Sequence, residues 1–292
     1  MTGSSEQCRI DSVQCISPDG LHQMAYKEWG EVDNPNVLIC VHGVTRVSDD
    51  FDSLARELAG QFRVICPDVV GRGRSGRLRN PQNYQVQQYV CDMVTLIARV
   101  HAENLSYFGT SMGGLIGMGL ASLKECPIRK LILNDIGPTL NATALSRIGQ
   151  YISQPLRMAT FEEAANYIRG ISLTFGAHTE EEWHKICSDV LRQDADGMWV
   201  KHYDLNLGLA MQSVTPEMAE TMQKLMWAAY DAITCPTLLL RGADSDLLVP
   251  DTAAQMTLRG PKAKLVEFEK VGHAPTLVHM DQIAVVKEFL LN

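Results

Sequence analysis

The chain has 292 residues, 46% of them hydrophobic and 21% charged, the make-up of a folded globular protein with a working core rather than of a disordered or fibrous chain. Lys+Arg 26 against Asp+Glu 34 leave a formal charge of -8, which opposes attraction to phosphate backbones or anionic lipid and argues against nucleic acid as a partner. No apolar run reaches the ~18 residues a membrane span requires, and the polar start Met1-Thr2-Gly3-Ser4-Ser5-Glu6 lacks the basic-then-apolar layout of a secretion signal, so a cytoplasmic location is expected.

Hydrophobic period and turn residues predict alternating strands and helices. Residues 11–17 and 22–29 read as strands joined at Pro18-Asp19-Gly20, a turn sequence that favours a hairpin. Residues 37–41 and 63–66 are short apolar runs of the kind buried on both faces of a parallel sheet, with a helical stretch over 50–59 between them. A helix over 86–100, a strand over 105–108, a helix over 112–123 and a strand over 128–133 continue the alternation. From 136 to 233 the strand signal is lost and helical segments follow one another, carrying Trp183, Trp199 and Trp227. Strands resume over 237–241 and 264–268, and 279–291 closes as a helix. The expected architecture is α/β, a mostly parallel sheet with helices on both faces built from residues 1–135 and 234–292, interrupted by an inserted helical cap over residues 136–233. The eight Cys are scattered, never as Cys-x-x-Cys, and several fall in apolar strands such as Leu38-Ile39-Cys40-Val41. They read as buried reduced thiols, and neither metal nor cofactor is expected.

Gly109-Thr110-Ser111-Met112-Gly113 has the form G-x-S-x-G between a predicted strand and a predicted helix. There a Ser sits on a sharp turn whose flanking glycines are required, because a Cβ would clash with neighbouring backbone. The hydroxyl then stands at a helix N-terminus, where backbone N–H groups and the helix dipole favour developing negative charge. Read without context, the motif is equally a Ser N-cap between ordinary glycine turns. A Ser hydroxyl is a weak nucleophile without a base, so the catalytic reading demands a later His with a carboxylate to orient it. His273, in Gly272-His273-Ala274-Pro275 after the last predicted strand, fits; His22, His101, His178, His184, His202 and His279 read as surface or packing residues. Three carboxylates lie just past strands: Asp246 and Asp244 in Gly242-Ala243-Asp244-Ser245-Asp246, and Asp135 in Leu133-Asn134-Asp135-Ile136-Gly137-Pro138.

His42-Gly43-Val44 follows another strand, and Gly43 lets the backbone pass close to Ser111, so that the N–H groups of Val44 and Met112 converge as an oxyanion hole. His42 itself reads as structural, hydrogen-bonding within its loop. Gly71-Arg72-Gly73-Arg74-Ser75-Gly76 matches the dinucleotide pattern G-x-G-x-x-G, but no helix opens directly from it and Asn80-Pro81 breaks the chain, so it reads as a connecting loop. Arg72, Arg74, Arg77 and Arg79 make a basic run in an acidic protein, and Arg46 lies just past the Gly43 turn. Their plain reading is a solvated face; the sharper one is that Arg46 and Arg72 meet a carboxylate on the substrate.

His42-Gly43, Gly109-Thr110-Ser111-Met112-Gly113, an acid, and Gly272-His273, in the order Ser, Asp, His, resemble the α/β-hydrolase superfamily from about residue 20 onward. Asp246 is the acid this resemblance favours, because Asp-x-x-x-Pro leading into the next helix matches the family pattern, with Asp244 and Asp135 as alternatives. The resemblance implies a Ser111–His273–Asp246 triad, an acyl-enzyme and a small-molecule ester as partner, in a monomer or small homo-oligomer. Val41-His42-Gly43-Val44-Thr45-Arg46 and Cys66-Pro67-Asp68-Val69-Val70-Gly71-Arg72-Gly73 are similar to segments of bacterial esterases, among them intracellular 3-hydroxybutyrate-oligomer hydrolases. Oligomers of that kind end in a carboxylate that Arg46 and Arg72 would suit. Met158, Met198, Met211, Met218, Met222 and Met226, with the Trp residues, are expected to wall the acyl pocket. A C–C bond hydrolase with the same triad and a non-catalytic binding module on the same fold are the alternatives.

Overall fold

Strand β1 (Arg9–Ser17) turns back into β2 (Gly20–Trp29), and the two pair antiparallel out to Ser17 opposite Gly20. Pro18 and Asp19 fill the two-residue loop, and Gly20 takes φ 108, a left-handed conformation that glycine adopts at little cost. The structure, a computed structural model, describes residues 8–139, 142–212 and 214–292; the polar start lies outside them. The chain then alternates through β3 (Asn36–Val41), α1 (Asp52–Leu58), β4 (Arg63–Pro67), α2 (Val86–Val100), β5 (Asn104–Thr110), α3 (Met112–Ala121) and β6 (Ile128–Asn134).

After β6 the chain leaves the sheet for α4 (Ala142–Ser153), α5 (Phe161–Ile171), α6 (Glu180–Ser188), the short strands β7 (Leu191–Gln193) and β8 (Trp199–Lys201), α7 (Leu207–Gln212) and α8 (Pro216–Asp231). It returns as β9 (Thr237–Gly242), α9 (Pro250–Leu258), β10 (Lys264–Phe268) and α10 (Met280–Leu291). The insertion was expected to be helical throughout, yet β7 and β8 pair antiparallel around a turn at Asp194–Gly197 with Gly197 at φ 78. Two three-residue strands are too short to declare a period in sequence. Capping boxes at Thr160/Glu163 and Thr179/Glu182 start α5 and α6 by satisfying backbone donors that a helix leaves open.

The sheet runs β1-β2-β4-β3-β5-β6-β9-β10, antiparallel in its first two pairings and parallel from β4 to β10. Both faces carry core: Met93, Leu96, Ile116 and Tyr230 cover one side from α2, α3 and α8, while Leu54, Leu58, Ile283 and Val286 cover the other from α1 and α10. This two-sided cover is why Leu38, Ile39 and Cys40 are all buried despite pointing alternately up and down. The insertion has a core of its own around Ile168, Trp183 and Ile186. All eight cysteines are free; Cys15, Cys40, Cys66 and Cys187 are buried, whereas Cys91 is exposed on α2. Among the described residues no helix is long and apolar enough to cross a membrane.

Candidate active site

Ser111 stands alone between β5 and α3 with φ 51 and ψ -114, a conformation that costs a non-glycine residue roughly 1–3 kcal/mol and persists only where packing dictates it. The packing is visible: a Cβ on Gly109 would lie 2.3 Å from the carbonyl of Gly113, and one on Gly113 only 2.1 Å from the carbonyl oxygen of Val41. Ser111 N–H donates to Asn134 O at 2.9 Å, and Ser111 C=O accepts from the N–H groups of Gly114 (2.8 Å) and Leu115 (3.1 Å). The hydroxyl therefore sits at the head of α3, as the motif predicts.

His273 Nε2 lies 2.9 Å from Ser111 Oγ, and Nδ1 lies 2.6 Å from Asp135 Oδ2. This corrects the expected acid: Asp135, not Asp246, takes the second ring nitrogen of His273. The reason is strand order. β6 and β9 are paired neighbours, Asn134 opposite Leu240, so the residue just past β6 already faces the end of β9. Asp135 is fully buried, adopts φ 56, and also accepts from Gly242 N–H (3.0 Å) and Ser245 Oγ (2.6 Å). The loop that was expected to supply the acid thus contributes the hydroxyl of Ser245 between exposed Asp244 and exposed Asp246. A carboxylate only accepts hydrogen bonds, so Nδ1 carries the proton and Nε2 is left to accept from Ser111. Asn134 ties the two sides together, its amide donating to Thr110 Oγ1 (3.1 Å) and Pro275 O (2.9 Å). Neither Ser245 nor Asn134 was singled out in sequence, where a Ser or Asn in a loop is unremarkable.

At the turn after β3, a Cβ on Gly43 would stand 3.8 Å from Ser111 Cβ, and Val44 lines the cavity beside it. His42 is structural, as expected: Nδ1–H donates to Gly43 O (2.7 Å) and Nε2 accepts from Val69 N–H (3.0 Å). Burial pushes its pKa down to about 4, so the ring is neutral. Arg72 is a second correction. It does not face a substrate but is buried, 1% exposed, with hydrogen bonds to Val44 O, Val70 O and Tyr89 Oη.

A cavity of about 480 Å³ opens over Ser111 and His273, a size suited to a small ligand. Tyr151, Ile168, Phe175, Ile186, Val190 and Tyr203 of the insertion line it, and Asp246 stands on its wall. None of the six methionines expected there is among the lining residues. Met211 and Met226 pack on the sheet core, Met158 packs inside the insertion, and Met218 and Met222 are exposed. Arg46 does line the cavity, but its guanidinium is committed to Asp50 (2.6–3.1 Å) and to Ile186 O of α6 (3.1 Å). Beside it Lys185 on α6 holds Asp189 at 2.6 Å and reaches Asp49 O at 3.0 Å, bridging α6 and the segment just before α1. Burial raises the Asp189 carboxyl to about 6.

The Gly71–Gly76 loop wraps a side chain rather than a phosphate. Asp68 is buried and accepts from Ser48 N–H (2.7 Å) and Arg74 N–H (2.9 Å), and a Cβ on Gly73 would lie 2.3 Å from its carboxylate. Cys15, His22 and Asp92 form a buried group with potential ligand atoms within 4.8 Å of one another. His22, expected as a surface or packing residue, is buried with Nε2 3.0 Å from Asp92, and burial pushes the Cys15 thiol up to about 12, which disfavours the thiolate a metal needs.

A family model described as alpha/beta hydrolase fold matches residues 36–279. The chain is 51% identical over 284 residues to a Cupriavidus necator protein named 3-hydroxybutyrate-oligomer hydrolase, covering 96% of this chain and 97% of that one. It is 26% identical over 280 residues to Lipase 1 of Psychrobacter immobilis, covering 94% and 81%. Among solved structures, an alpha/beta hydrolase from Novosphingobium aromaticivorans aligns with a TM-score of 0.84 at 33% identity, covering 97% of this chain and 98% of that one.

Proposed function

The chain belongs to the alpha/beta hydrolase fold family and is a hydrolase, and on that premise we propose that it is a serine ester hydrolase whose substrates are small soluble esters, 3-hydroxybutyrate oligomers above all. The observation that carries the proposal is the continuous chain from Ser111 Oγ through the His273 ring to Asp135, at 2.9 and 2.6 Å. The named relative at 51% identity supports the substrate class.

In this reading His273 Nε2 takes the proton of Ser111 as Oγ attacks the ester carbonyl, and Asp135 holds the ring in the right tautomer and stabilises its charged form. The carbonyl oxygen becomes an oxyanion facing the N–H groups of Val44 and Met112, placed respectively at the Gly43 turn and the head of α3. His273 returns the proton to the departing alcohol. Water then attacks the acyl-enzyme with His273 again as base, releasing the carboxylic acid and restoring Ser111. The insertion acts as a cap whose apolar wall desolvates the acyl chain, with Arg46 among the lining residues; because Arg46 already holds Asp50, any carboxylate it meets shares that guanidinium.

The test compares p-nitrophenyl butyrate with 3-hydroxybutyrate dimer and trimer, for wild type and Ser111→Ala. Turnover of all three that Ser111→Ala abolishes is expected. Turnover of the nitrophenyl ester alone discards the oligomers, and turnover that survives Ser111→Ala discards the nucleophile. Bleaching of a coloured dienol ring-fission product would move the reading to C–C bond hydrolysis.

A further inference from the structure

We infer that Arg72 is a positioning residue for the oxyanion pocket, a buried strut that clamps both residues whose N–H groups would hold the oxyanion. The inference rests on the reading of Ser111 as nucleophile and adds a residue that neither faces the cavity nor belongs to the triad.

Arg72 sits in the loop after β4 and is among the largest fully buried side chains. Its Nε donates to Val44 O (2.9 Å), one terminal nitrogen donates to Val70 O (2.7 Å) and Tyr89 Oη (3.0 Å), and the other lies 3.1 Å from Met112 Sδ. The guanidinium also stacks over the Tyr89 ring at 4.9 Å. These partners are all uncharged, so its burial is opposed by desolvation with no carboxylate in the contact set to offset it. An apolar side chain would fill the same space without that cost. What the planar fork adds is geometry, because its donors lie at fixed angles and tie Val44, Val70 and Met112 to one rigid plate.

Peptide planarity shows why this matters at Val44. The C=O and N–H of a trans peptide point in opposite directions. Gly43 C=O is held from behind by His42 Nδ1 (2.7 Å) and Arg46 N–H (3.1 Å), which turns the Val44 N–H away from them. Arg72 fixes the next peptide through Val44 O, so both planes flanking Val44 are anchored. At the other donor, Ser111 C=O is engaged by Gly114 and Leu115, which aims the Met112 N–H out of the helix head, while Arg72 holds the Met112 side chain. One guanidinium therefore touches both donor residues, the Val44 backbone directly and Met112 through its side chain, linking the turn after β3 to the head of α3, and Asp68, gripping Ser48 and Arg74, fixes the loop that carries it.

The test uses the full chain as wild type, Arg72→Lys and Arg72→Met, each assayed well below its own melting temperature. For p-nitrophenyl butyrate, kcat is expected to fall about 10–100-fold in Arg72→Met and less in Arg72→Lys, with KM within about twofold of wild type. Affinity for butylboronic acid, which adds to a serine oxygen as a tetrahedral anion, should fall in step with kcat, while inhibition by butyramide, a planar ground-state analogue, should hold. Unchanged kcat and boronate affinity in Arg72→Met would overturn the inference. So would equal losses for boronate and butyramide, which mark general loosening of the site. If Arg72→Met does not fold, Arg72→Lys carries the same comparison, since it keeps a buried cation of similar volume. Failure of the underlying reading looks different: wild type would not bind the boronate, or Ser111→Ala would keep wild-type turnover.

Discussion

At the nucleophile the chain closes on itself between Gly109 and Gly113, whereas at the acid Asp135 gathers Gly242, Ser245 and His273 from 107 to 138 residues further along the chain. The first region is held by backbone against backbone, with Gly113 pressed on Val41, and has no side chain that can yield. The second adds to close backbone packing at Gly242 a set of hydrogen bonds to Asp135, of which those from Ser245 and His273 come from side chains and can be removed singly. Strain is therefore tolerated at Ser111 because its surroundings leave no alternative, while orientation of His273 depends on a set of replaceable donors and acceptors.

The sharpest way to break this comparison is at the acid. Asp135→Asn should lower kcat by a factor on the order of 10⁴ while leaving the fold intact, because an amide enforces the wrong tautomer on the imidazole. Asp246→Asn should change kcat by less than about tenfold. Steady-state kinetics beside circular dichroism decide it, and the reverse order would return the acid to Asp246. At the nucleophile the matching change is structural. Gly113→Ala sets a Cβ 2.1 Å from Val41 O, so urea denaturation should show a loss of about 4 kcal/mol or no folded protein at all. A milder probe is Ser245→Ala, which removes one of the three bonds to Asp135; kcat should fall about tenfold with KM unchanged, as expected for one buried hydrogen bond.

The smallest effect separates the turn beside the nucleophile from the insertion and is read from stability against pH. His42 has its pKa lowered from 6.5 to about 4, so between those values the unfolded chain binds the extra proton and stability falls as pH falls. Asp189 has its pKa raised from 3.8 to about 6, so in that window the native state binds the extra proton and stability rises as pH falls. The two slopes oppose each other between about 4 and 6. Asp189→Asn should remove the second and make the protein lose stability on acidification more steeply than wild type, by at most about 1.4 kcal/mol per pH unit. Melting temperatures of both proteins across that range give the difference directly; parallel curves would show that Asp189 titrates as it does in the unfolded chain.

Much of the architecture was legible because it is written in short windows. Apolar runs such as residues 37–41 declare buried parallel strands, Pro18-Asp19-Gly20 declares the hairpin, and the long period of residues 86–100 declares α2. The β7–β8 pair was not legible, being too short for a period, and the methionines misled because a Met on an apolar helix face packs as readily on the sheet as on a ligand. Arg72 misled for a related reason. A basic run in a loop reads as solvated or ligand-facing, and nothing local announces that one guanidinium turns inward onto Val44 and Met112.

By itself the sequence pointed to the elbow at Ser111, a structural role for His42 and His273 as the base beside Ser111. At Ser111 a steric requirement at Gly109 and Gly113 leaves few alternatives within a few residues, and His273 could be named from 162 residues away only because a serine nucleophile needs a base and one histidine follows the last strand in a fitting loop. Tertiary structure alone decided which of three carboxylates meets His273, which arginine faces the cavity and which side chains line it. Those choices depend on β6 lying beside β9 and on loops packed across more than 100 residues of intervening chain, and a side chain's neighbours at that range are set by strand order rather than by the letters next to it.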